Sequence, residues 1–123
     1  MEQPRHTRLL DLIGVVATVE GLRGVVQGAA QVPDAGAFGA NVDNELRFYS
    51  AWYATFGLLL LGTRTRPPVA RELERAAAVG FGLAATGRLL STRRHGRPHP
   101  TQLALLAAEV VLPALLLRRD RRP

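Results

Sequence analysis

The chain contains no cysteine, which excludes disulfide frameworks, thiol catalysis, iron–sulfur clusters and cysteine-based zinc sites. It contains no lysine either: all 16 basic residues are Arg. That bias, together with abundant Ala, Gly and Leu, points to a GC-rich bacterial genome. Aromatic residues make up 6% of the chain, too few for a platform on which nucleic-acid bases could stack. No Ser/His/Asp order, phosphate-binding loop or dinucleotide fingerprint occurs. His6, His95 and His99 fall in chain ends or connections without the spacing of metal ligands. No catalytic residue, metal ligand or cofactor is therefore assigned. Gly80-Phe81-Gly82 lies inside a helical stretch and is not a phosphate loop.

What the chain does have is apolar sequence in blocks. Its 123 residues suit one domain, and four apolar segments stand out at about 9–29, 45–63, 71–91 and 100–118. At about 1.5 Å per residue each would be roughly 28–32 Å long, close to the hydrocarbon thickness of a bilayer. Runs such as Leu58-Leu59-Leu60-Leu61 and Ala76-Ala77-Ala78 are helix formers with little strand-like alternation. The mean hydropathy of +0.05 hides this pattern because the charge is clustered.

A soluble four-helix bundle competes with a membrane bundle. The longest uncharged run, Phe48–Thr63, has 16 residues, short of the roughly 18 that mark a secure span. Yet a soluble amphipathic helix needs a polar face along its whole length. Ala51–Gly62 has almost none, Ala76–Gly87 has only Thr86, and Leu103–Leu117 has only Glu109. A chain of this size cannot bury four such helices completely. The expectation is an all-α protein, a four-transmembrane-helix bundle forming one membrane domain over residues 1–123. A cleaved signal peptide is the weaker reading of the N-terminus: Arg5, Arg8 and Gly28-Ala29-Ala30 resemble its parts, but Asp11 and Glu20 interrupt the apolar core.

The connections are legible. Pro33 and the Gly36–Gly39 region end the first helix, Pro67-Pro68 can open the third, and His95-Gly96-Arg97-Pro98-His99-Pro100 breaks before the fourth. Asp43 or Asn44 is a plausible N-cap for the second helix, and Thr101 stands at the start of the fourth. Arg5 and Arg8, then Arg64, Arg66 and Arg71, then Arg118, Arg119, Arg121 and Arg122 mark one side of the membrane. The first connection carries Asp34 and Asp43 and no Arg. This is the positive-inside pattern with both termini cytoplasmic. Arg93, Arg94 and Arg97 in the third connection run against it.

With that orientation the intramembrane polar groups fall in the outer half. Glu20 lies near the midplane, with Arg23 and Gln27 on the same face. Glu45 and Arg47 open the second helix, Arg88 and Ser91 close the third, and Gln102 and Glu109 share a face of the fourth. Charges in a bilayer should face inward and pair. Three carboxylates (Glu20, Glu45, Glu109) match three guanidiniums (Arg23, Arg47, Arg88). Such pairs either fix helix register or line a polar cavity for a lipid headgroup or small anion. Pro113 removes the helix bond to the Glu109 carbonyl. Ala76, Gly80, Ala84 and Arg88 form a small-residue stripe, more simply explained by helix packing. Tyr49, with Trp52 and Tyr53, forms an interfacial aromatic belt or a ligand wall. The basic balance (pI about 11.4) raises nucleic acid as a partner. Arg residues at helix ends separated by apolar stretches fit anionic lipid headgroups better.

The pairs Gly21-Leu22 and Arg66-Pro67, with Pro33, Gly57, Gly62 and the late Glu109, carry a family resemblance. So do Asn44-Glu45-Leu46-Arg47-Phe48-Tyr49, Gly87-Arg88-Leu89-Leu90-Ser91 and Gly96-Arg97-Pro98. In these residues, and over about Leu9 to Arg119, the sequence resembles the bacterial integral-membrane family called domain of unknown function 4345. It departs at Phe48-Tyr49-Ser50, where such proteins often have a Tyr followed by Gly-Gly. The resemblance implies four membrane helices and no particular activity. The resulting expectation is a non-enzymatic binding or accessory protein of the bacterial cytoplasmic membrane. Its partners are membrane lipids, with a homo-oligomer or a larger complex left open. A structural subunit without a ligand is the alternative, and a proton-coupled carrier using Glu20 and Glu109 is a third reading.

Overall fold

The structure, a computed structural model, describes residues 3–33 and 36–118, with side chains from residue 8 onward. Asp34, Arg119, Arg121 and Arg122 lie outside the described residues, as does the side chain of Arg5. The protein is all-α, with four helices and, among the described residues, no strand. These are α1 (Gln3–Gln27), α2 (Ala40–Gly62), α3 (Pro67–His95) and α4 (Pro100–Leu117). One of them, α4, is long and apolar enough to cross a membrane. The chain divides into two compact units, Met1–Ala70 and Arg71–Pro123.

The helices follow the expected segments, and three of them are longer. α1 begins six residues before Leu9 and contains His6, which was expected in a chain end. α3 opens on Pro67-Pro68, as the fixed φ of proline at a helix start favours, and runs on to His95 because no breaker precedes Gly96. α2 begins at Ala40, with Gly39 as its extended N-cap and no side-chain cap. Asp43 and Asn44 are therefore not caps: Asp43 ends the first turn and Asn44 follows it. At α4, His99 is the cap: its ring Nδ1 accepts the Thr101 N–H at 3.2 Å, and Pro100 occupies the first helical turn.

In the first unit α1 and α2 form an antiparallel hairpin. Small residues set the approach. A Cβ at Gly57 would stand 2.5 Å from the Thr18 nitrogen, and one at Gly14 would stand 2.9 Å from Leu61 Cγ. Gly21 meets the Ala54 backbone in the same way, and Gly24 meets Ser50. The room for the Ser50 hydroxymethyl group comes from the missing side chain of Gly24 across the interface. Ile13, Ala17 and Ala54 are buried along this seam. Arg64, just past α2, reaches Asp11 of α1 at 3.5 Å.

After α1 the chain turns through a 3₁₀ segment, Gly28–Gln31, entered by Gly28 at φ 60°. In the second unit, Gly96 at φ 88° ends α3, its N–H donating to the Thr92 carbonyl at 2.9 Å. Arg71, Glu74 and Arg75 of α3 line a small pocket with Leu116 and Leu117 of α4. Pro113 sits inside α4 without ending it.

Candidate functional site

Two polar centres are built from the expected residues, one in each unit. The first joins the end of α1 to the start of α2. The last carbonyls of a helix have no partners of their own. Arg47, two turns into α2, donates through Nη1 to the carbonyls of Val25 (2.7 Å) and Val26 (2.9 Å). Its Nε donates to Asp43 Oδ2 at 2.8 Å. Asp43 Oδ1 in turn accepts the backbone N–H of Ala29 at 2.8 Å. Hydrogen bonding from Arg47 first, and from the Ala29 amide second, holds the Asp43 carboxyl below the usual carboxylate range, against a smaller opposing effect of burial. Gly28 lies beneath this clasp, where any Cβ would strike Asp43 and Arg47. Gln27, Ala30, Phe38, Gly39, Ala40, Asp43 and Arg47 line an open cleft of about 360 Å³.

Asp43, and not the expected site residue Glu45, is the carboxylate that meets Arg47. Glu45 is exposed and pairs with no described cation; residues two apart on a helix point to different sides, whereas Asp43 lies one turn below Arg47. Asp43 was legible as an acid near the helix start. Its role as anchor for Ala29 was not, because that bond spans 14 positions and leaves no local pattern.

The second centre joins α3 to α4. Arg88 Nε donates to Glu109 Oε2 at 2.7 Å, and Arg88 Nη1 donates to Gln102 Oε1. Gln102 and Glu109 are two turns apart on α4, so one face presents both acceptors to one guanidinium. Glu109 is 9% exposed, while the Arg88 side chain keeps about a third of its surface (33%). The named bonds use two of the five guanidinium donors. Ser91 is exposed and makes no described bond to Arg88; Thr92 instead donates its hydroxyl to the Arg88 carbonyl at 2.9 Å.

The remaining expected residues are not brought into either centre. Arg23 contacts Glu20 at 3.4 Å and Gln27 at 3.4 Å along one exposed face of α1. Tyr49 is exposed and packs edge-on against Phe48, with ring centroids 5.5 Å apart; Phe48 also meets Trp52 at 6.4 Å. Sequence reasoning passed over Glu74, which at 6% exposure is buried more deeply than Glu109. Its place among the helix-end charges Arg71, Glu72 and Arg75 disguised it.

Among the described residues, the two polar centres are built from ion pairs and hydrogen bonds within and between consecutive helices. The family model described as Domain of unknown function (DUF4345) matches residues 7–118, and the chain belongs to that family. No curated protein and no solved structure matches it.

Proposed function

We propose that this chain is a small, non-enzymatic, multi-pass protein of the bacterial cytoplasmic membrane that binds a lipid headgroup or small anion, its four helices crossing with both termini cytoplasmic. The carrying observation is α4: 18 residues long, apolar throughout except for Thr101, Gln102 and Glu109, and only 6% buried. Leu12, Val19 and Val26 on α1, Leu58 on α2, and Val79 and Leu83 on α3 are also more than half exposed. Apolar surface on that scale calls for a partner that is not water. The charged groups in the helix bodies are paired, Glu20 with Arg23 and Arg88 with Glu109, which lowers the cost of placing them in lipid.

The binding part rests on Arg88, half-buried, oriented by two acceptors and left with free donors, an arrangement that suits an anion. A second reading is favoured by Arg47, whose bonds are spent on Asp43 and two carbonyls. On that reading the clasps only fasten helices, and the chain is a structural subunit of a larger complex. Alkaline extraction followed by native mass spectrometry in mild detergent tests both parts. The expected result is a chain retained in the membrane pellet, carrying a small-molecule mass that Arg88→Leu loses. Extraction into the supernatant overturns the membrane reading. Stable partner subunits with no bound mass support the structural reading instead.

A further inference from the structure

We infer that the third connection, between α3 and α4, docks the phosphate of an anionic phospholipid; this rests on the membrane reading above. The sequence holds no acidic residue between Glu74 and Glu109, yet Arg93, Arg94 and Arg97 fall within five positions of that stretch. Five other guanidiniums find carboxylates, Arg23 with Glu20, Arg47 with Asp43, Arg64 with Asp11, Arg75 with Glu72 and Arg88 with Glu109, whereas Arg8, Arg66, Arg71 and Arg118 pair with no described acid. Arg93, Arg94 and Arg97 are exposed and pair with no described acid. Offsetting the negative end of the α3 dipole accounts for Arg93 and Arg94, which lie in its last turn. It does not account for Arg97, which lies beyond the Gly96 turn. Three like charges this close repel one another and call for an anionic counterpart.

The tip that carries them is fixed at several points. Gly96 closes α3 on the Thr92 carbonyl, the His99 ring holds the Thr101 amide, and Arg88 ties the two helix ends together through Gln102. Immediately below the charges, Leu89, Leu90 and Leu105 are between 41% and 49% exposed. Cation above and apolar surface beneath is the pattern of a lipid, with a phosphate for the guanidiniums and an acyl chain for the leucines. A nucleic acid would leave the leucines in water, and so would free phosphate. The proposed orientation places this connection on the face where the first connection has no Arg. Anionic headgroups there would compensate a loop that the charge rule disfavours.

The test uses the full chain in nanodiscs of equal phosphatidylglycerol and phosphatidylcholine, read by native mass spectrometry. The wild type is expected to retain phosphatidylglycerol over phosphatidylcholine by on the order of tenfold or more. The R93Q/R94Q/R97Q variant should fall to near parity while staying inserted, and R93K/R94K/R97K should keep most of the preference. An inserted wild type without preference overturns this inference alone, as does an unchanged glutamine variant. Displacement of the lipid by inorganic phosphate, or tighter binding of RNA at the same residues, also overturns it. A chain that never inserts overturns the membrane reading beneath it.

Discussion

Asp43 connects two backbone segments through one carboxylate, and its charge state decides whether the connection holds. Its folded pKa lies below the ordinary value of about 4. A depressed carboxylate pKa contributes stability that is fully present above the unfolded value and is lost as pH falls through the folded one. Lowering the pH from about 5 to about 2 should therefore narrow the difference between wild type and Asp43→Asn. The variant is expected to be the less stable of the two at pH 7, and thermal unfolding across that pH series checks both statements. Equal slopes for the two proteins would show that Asp43 does not anchor the turn. At this scale the sequence was partly legible. Helical spacing announced that Glu20, Arg23 and Gln27 share a face, and the equal numbers of acids and guanidiniums suggested ion pairing without assigning Arg88 to Glu109. Glu45 stood among the site candidates and Asp43 was read as a cap, although one helical turn, not two residues, brings side chains together.

Between helices the decisive residues are those without side chains. Gly14, Gly21, Gly24 and Gly57 let α1 and α2 approach until backbone meets backbone. Dispersion and the fit of close-packed atoms then hold the hairpin, and in the proposed membrane setting apolar burial would add little to them. Gly57→Leu should cost about 2 kcal/mol or more by overpacking. Gly62→Ala, at an open position on the same helix, should leave the unfolding midpoint nearly unchanged. Circular dichroism melts in detergent read both. The element order was legible from the apolar blocks and from Pro67-Pro68 and Pro100. The helix ends were less so: Asn44 and Asp43 look like caps by type, but Gly39, four residues before Asp43, is the cap of α2. Gly24 and Gly28 stand four residues apart, the spacing of close helix packing. In the structure Gly24 makes room for Ser50, and Gly28 makes room for the Asp43–Arg47 clasp.

For the whole molecule, the absence of cysteine is an experimental asset. Single-cysteine variants at exposed Gly39, Arg66 and Arg94 can be labelled from one side of intact cells without a background to remove. The proposed topology expects Gly39→Cys and Arg94→Cys to react with an impermeant maleimide from outside, and Arg66→Cys to react only after permeabilisation. Labelling of all three from outside would reject four crossings. What sequence patterning conveyed at this scale was the all-α class and the family. The meeting of Arg88 with Gln102 and Glu109, across a connection of proline, glycine and histidine, was beyond it, because no periodicity within one helix encodes the register of two.

The helices of the second unit are unequal, 29 residues in α3 against 18 in α4. At about 1.5 Å per residue these are roughly 43 Å and 27 Å. A bilayer around them could match only one. α4 would set the hydrocarbon depth, and α3 would have to tilt or project its charged ends into the headgroup layers. Thicker membranes would then strain the short helix long before the long one. The protein would carry a built-in preference for thin bilayers, with α4 as its gauge.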